Sequence, residues 1–178
     1  KTISLAKKLT MRILMFLIVF GLLVPIHAQE ILSEKDRAEV VDEILNDRLT
    51  NLLPKLMDDT GIDMWILISR EYNEDPILKT FLPANWLNAR RRTILVFYRD
   101  KKSNRTDLLA VAPYDFGKNI KSAWNREQQP DQWLRLLELI LERNPKRIGL
   151  NFSEHFNIAD GLDHTDYEEL MKRLPDKY

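Results

Sequence analysis

Two histidines, His155 and His164, share the segment Ser153–His164 with Glu154, Asp160 and Asp163. Neutral imidazole and carboxylate oxygen suit borderline and hard cations, so this is the first place to seek a metal centre or an acid–base pair. The spacing matches no ligand pattern such as His-Glu-x-x-His. Asp and Asn in short polar stretches usually close turns, and a post-strand loop is the expectation here. A second polar run, Ser69-Arg70-Glu71-Tyr72-Asn73-Glu74-Asp75, follows an apolar segment. Loops at the carboxyl ends of strands often hold ligands in α/β sheets. This one has no glycine, so it is not a phosphate loop, and a solvated loop is the better expectation. Arg90-Arg91-Arg92 can clamp an acidic group or a partner carboxylate. Equally, so short a charge run can be the solvated lead-in to a strand, which is the favoured reading. Substrate- or partner-contact candidates are therefore Arg70, Glu71, Asn73, Arg91 and His155. No residue is assigned a catalytic or metal-binding role.

Other chemistries find no foothold. The serines lie in no Gly-x-Ser-x-Gly pattern, and no glycine-rich dinucleotide fingerprint is present. Of four tryptophans, Trp65 and Trp133 fall in core-facing patterns. Trp86 and Trp124 are too few for a carbohydrate platform.

The elements that must position these residues read as one α/β domain. Ser33-Glu34-Lys35-Asp36 resembles a capping box, and Val41, Leu45, Leu49, Leu52, Leu53 and Leu56 behind it mark one buried helical stripe. Pro54 predicts a kink or a broken last turn, and Gly61 ends the helix. Ile62–Ser69 and Thr93–Tyr98 are near-continuous apolar runs, the mark of strands covered on both faces. Asp107–Ala112 is a shorter strand, joined to the second by the turn-like Lys101–Arg105. Arg70–Arg92 is irregular, with room for one short helix. Trp133, Leu136, Leu137, Ile140 and Leu141 predict a helix over Asp131–Arg143, stopped by Asn144-Pro145. Arg147–Phe152 is the next strand, and strand, helix and strand at this spacing can form a crossover unit in a mixed sheet. Thr165-Asp166-Tyr167-Glu168 predicts the start of a last helix.

The N-terminus has the parts of a secretory signal: Arg12 with Lys7 and Lys8, the apolar run Ile13–Val24, then Pro25-Ile26-His27-Ala28. The run is about 12 residues, whereas crossing a bilayer takes roughly 20. Cleavage near Ala28 and export, periplasmic or secreted, are the expectation, with residues 1–10 read in from upstream of Met11. The membrane would be met only through this signal. Residues 29–178 would then form one domain of ordinary size. Removing 1–28 takes away four basic and no acidic side chains, so a net charge of zero becomes −4. A mildly acidic domain without a basic face is a poor nucleic-acid binder. The chain has no cysteine, so no disulfide framework holds it.

The run Gly61-Ile62-Asp63-Met64-Trp65-Ile66-Leu67-Ile68-Ser69-Arg70-Glu71-Tyr72-Asn73-Glu74-Asp75-Pro76, with Arg90–Phe97 and Arg147–Phe156, resembles the N-terminal domain of the creatinase, prolidase and aminopeptidase P superfamily. Ala159-Asp160-Gly161-Leu162 adds to the likeness, which spans roughly Ile31–Leu174, and these stretches resemble exported bacterial aminopeptidase P-like proteins. The resemblance implies a mixed β-sheet flanked by helices, related in fold to ribonuclease H. It implies a following catalytic domain with two divalent metals, manganese or cobalt, held by two Asp, one His and two Glu. None of those positions lies in this chain. The implied partners are its own C-terminal catalytic domain, a further copy in a homo-oligomer, and a peptide substrate of the whole protein. Where many relatives carry a short Tyr-Leu-Thr-Gly strand, this chain has Trp86-Leu87-Asn88-Ala89-Arg90. The expected function is a non-catalytic domain that shapes access to an active site and makes oligomer contacts. The alternative is a free-standing exported binding or assembly module. A nuclease on the same fold would need clustered strand carboxylates, and the strands offer only Asp63 and Asp107.

Overall fold

In the computed structural model, which describes residues 10–16 and 31–178, the apolar run after Gly61 forms strand β1, Met64–Arg70. Its alternation sorts side chains onto two cores. Met64, Ile66 and Ile68 face one side, while Trp65 and Leu67 face the other. Strand β2 (Arg92–Asp100) lies antiparallel to β1, with Trp65 opposite Phe97 and Arg70 opposite Arg92. Strand β3 (Arg105–Val111) is antiparallel to β2, and β4 (Lys121–Ser122) runs parallel to β3. Strand β5 (Ile148–Leu150) is parallel to β1, which completes the order β4-β3-β2-β1-β5. The architecture is α/β: a five-stranded mixed sheet with helices against both faces.

The first face is covered by one long helical segment. It runs as α1 (Glu34–Asp47), a π-helical turn (Arg48–Leu52) and α2 (Leu53–Thr60). Pro54 has no N–H to donate to the preceding turn, and the wider turn sits directly before it. A spacing of four residues overshoots an α-helical turn by about 40°; the wider turn takes part of that back. Leu45, Leu49, Leu53 and Met57 therefore all stay buried. The single stripe expected from the sequence is corrected in part: Val41, Leu52 and Leu56 are exposed. Gly61 closes α2 at φ 70°, where a Cβ would meet the Arg147 guanidinium at 2.9 Å. Arg99 of β2, nearly buried, donates from Nη2 to Asp58 Oδ2 of α2 at 2.9 Å. The bond holds the Asp58 carboxyl below the usual carboxylate range.

The second face is covered by α4 (Gln132–Arg143) and α5 (His164–Met171). Between the first two strands lies the short α3 (Pro76–Lys79). Asp131 caps α4 through the amides of Trp133 and Leu134. The cap of α5 is Asp163, which accepts from the Asp166 amide at 2.9 Å, so the Thr165 box is corrected to one starting two residues earlier. Two strands also differ from expectation. β5 stops at Leu150, because Leu162 N–H takes the Asn151 carbonyl, and β4 carried no sequence pattern at all.

The chain divides into two compact units, Lys1–Ser33 and Glu34–Tyr178, and β1 to β5 belong to the second. In the first, residues 10–16 are helical, with Met11, Leu14 and Phe16 exposed. The rest of the expected signal, including its cleavage point at Ala28, lies outside the described residues. No helix among the described residues is long and apolar enough to cross a membrane.

Candidate functional site

Strand directions bring the three polar segments to one end of the sheet. β1 ends there at Arg70, β2 begins there at Arg92, and β5, parallel to β1, ends there at Leu150. Two carboxylates with no exposed surface organise this end. Asp166, in the first turn of α5, accepts from Arg70 Nε at 3.0 Å, Arg70 Nη2 at 2.7 Å and Arg92 Nε at 3.1 Å. Asp163 adds a second anion 3.3 Å from Arg70 Nε. The hydrogen bonds to Asp166, first among the causes, raise the Arg70 pKa further, so its charge is permanent. Arg92 also lies 4.9 Å over the Trp133 ring, a cation–π contact that joins the network to α4.

Asp75 is the other buried carboxylate. Its Oδ1 accepts from the amides of Ile77 and Leu78 at 2.7 and 3.1 Å, capping α3. Its Oδ2 accepts from Asn151 Nδ2 at 2.8 Å, and Asn151 Oδ1 accepts from the Trp65 indole at 2.9 Å. Ser69 Oγ accepts the Asp75 amide at 3.0 Å. This chain of bonds ties β1, α3 and the end of β5 together.

Above this base lies a shallow recess of about 340 Å³ lined by Arg70, Glu71, Arg91 and Arg92. Glu71 and Arg91 hold each other. Glu71 N–H donates to the Arg91 carbonyl at 2.6 Å, and Arg91 N–H donates to Glu71 Oε2 at 2.9 Å. Tyr72 and Arg91 adopt φ values of 70° and 49°. Left-handed backbone at bulky residues costs energy and is kept only where the surroundings enforce it. Tyr72 is 89 % exposed and Leu87 96 % exposed. The side chains of Arg90 and Arg91 meet no acidic partner among the described residues.

Of the candidates, Arg70, Glu71 and Arg91 thus line one recess. Asn73 sits at its edge, its N–H donating to the Arg70 carbonyl at 3.0 Å. His155 lies apart, exposed, in a turn closed by its N–H to Ser153 Oγ at 3.3 Å. His164 opens α5 and faces Glu168 at 3.6 Å. Among the described residues no group of three or more His, Asp or Glu is placed to hold a metal ion. Trp86 packs edge-to-face on Phe116 at 4.9 Å, and Trp124 donates to the Gln129 carbonyl at 2.6 Å.

Sequence reasoning did not single out Asp166 or Asp75. The Asp75-Pro76 pair was a usable signal, since an acidic cap before proline at the first helical position starts a helix. Nothing local marks Asp166, whose partners lie 96 and 74 residues away. Both carboxylates are saturated by donors. This end of the sheet is therefore held in shape by buried carboxylates, with Arg90 and Arg91 exposed at its surface. Comparison with protein-family models, with curated proteins and with solved structures finds no match for this chain.

Proposed function

We propose that the chain is the non-catalytic front domain of an exported metallopeptidase of the aminopeptidase P type, and that it presents the Arg70–Asn73 and Arg90–Arg92 turns to the rest of that protein. The observation that carries the reading is the division of labour at this end of the sheet. Asp75 and Asp166 are buried and paired, whereas Tyr72, Leu87, Arg90 and Arg91 are exposed, and the side chains of the two arginines meet no acidic partner among the described residues. Exposed tyrosine and arginine around an apolar tip are the side chains that anchor interfaces. A mixed sheet with helices on both faces is also of the kind the family resemblance implies, which supports the reading.

In this account the metals, manganese or cobalt, belong to a domain encoded beyond Tyr178, and this chain supplies none of their ligands. The test is the longer protein. Its frame carries the two-Asp, one-His, two-Glu set, and the purified protein removes the residue before proline only with added manganese or cobalt. A frame without that set, or equal cleavage after chelation, overturns the proposal.

A further inference from the structure

A larger concavity lies elsewhere in the domain, independent of the reading above. It is a cleft of about 840 Å³ between α1, the Pro83–Trp86 turn and the Asp115–Asn119 turn. That volume falls within the range of about 300–1,000 Å³ typical of binding clefts. Its floor is apolar, formed by Leu45, Trp86 and Phe116. One wall is α1, which lines it with Glu39, Asp42 and Glu43.

These charges have uneven company. Asp42 Oδ1 accepts from the Ala84 amide at 3.0 Å, which fixes the Pro83–Trp86 turn against α1. Asp115, at the opposite lip, is already paired with Lys121 at 2.8 Å. Glu39 and Glu43 have no hydrogen-bond or ion-pair partner among the described residues. They stand four positions apart on one helix, an arrangement in which like charges repel. Lys118 is the one cation lining the cleft, set against the three carboxylates Glu39, Asp42 and Glu43, so negative charge is in excess. The lining therefore combines an apolar floor with uncompensated negative charge on one wall.

We propose that this cleft docks a peptide segment in which an apolar side chain is flanked by lysine or arginine. The apolar side chain enters against Trp86 and Phe116, and the cation meets Glu39 and Glu43. Charge complementarity selects a basic segment over an acidic one, because an acidic residue would face the three carboxylates of α1. A bare cation does not satisfy the site, since it leaves the aromatic floor unfilled.

The test is a titration of the ¹⁵N-labelled 178-residue chain with an acetylated, amidated hexapeptide of alternating leucine and lysine. The matched leucine–glutamate peptide and spermine serve as comparisons. The proposal expects the lysine peptide to shift the amides of Glu39–Asn46 and Gly117 and the Trp86 indole, with an affinity that falls as salt is added. The Glu39→Gln/Glu43→Gln variant weakens it at least about fivefold, a loss of about 1 kcal/mol. Both side chains are exposed and unpartnered, so the variant folds as the parent does. The proposal is overturned by no shifts or shifts confined to other surfaces, by an unchanged affinity in the double variant, by equal binding of the glutamate peptide, or by equal binding of spermine. Shifts of the same amides on raising protein concentration without peptide also overturn it, because a second copy is then the occupant.

Discussion

Replacing Asp166 by asparagine lowers the stability of the chain by about 3 kcal/mol, read as a fall in the urea midpoint at unchanged slope. The side chain has no exposed surface and receives three guanidinium hydrogen bonds from two strands. Asparagine keeps the shape but removes the charge, and it turns a donor toward Arg70 or Arg92. Removing one partner of a buried pair costs about 3–5 kcal/mol. The lower end applies because the Arg70 and Arg92 side chains are 36 % and 27 % exposed and reach water. Asp163→Asn costs less, at most about 1 kcal/mol, since asparagine caps a helix as well as aspartate and only the longer ion pair to Arg70 is lost. A loss below about 1 kcal/mol for Asp166→Asn contradicts the view that this carboxylate holds the end of the sheet.

Gly161→Ala is nearly as damaging, although it adds one methyl group. A Cβ at that position lies 2.3 Å from Asp75 Oδ2, 2.4 Å from its Cγ and 3.0 Å from its Cα. The last is backbone and cannot swing aside. Overpacking costs about 1–3 kcal/mol, and here it also displaces a buried carboxylate from Asn151 and the α3 amides, so about 3 kcal/mol is expected. The Asp75→Ala background supplies the control. With the carboxylate gone, the added methyl costs at least about 1 kcal/mol less, a coupling read from a double-mutant cycle. Full additivity contradicts the clash.

The parts of the fold legible in the sequence were those with strong local patterns. Met64–Ile68 and Ile94–Phe97 are apolar on both faces, and they became the central strands of a covered sheet. Trp133, Leu136 and Ile140 kept helical spacing and are buried in α4. What escaped was set by distant partners. Two residues of β4 hold no pattern, and they pair because the Phe116–Ile120 turn returns the chain beside β3. The α1 stripe split because the π-helical turn changed which residues share a face. His155 sits in a turn and His164 opens α5, while the organising carboxylates, Asp75 and Asp166, were read only as members of a polar run and of a capping box. Their role depends on Arg70, Arg92 and Asn151 arriving from other elements.

In the proposed function, the Arg70–Asn73 and Arg90–Arg92 turns form a face covered by the rest of a longer protein. Hydrogen exchange compared between the 178-residue chain and that longer protein tests it most directly. Slower exchange is expected in the longer protein over Glu71–Asn73 and Leu87–Arg91, with the amides of α4 unchanged. Equal exchange over both turns, with protection appearing on another surface, would contradict it.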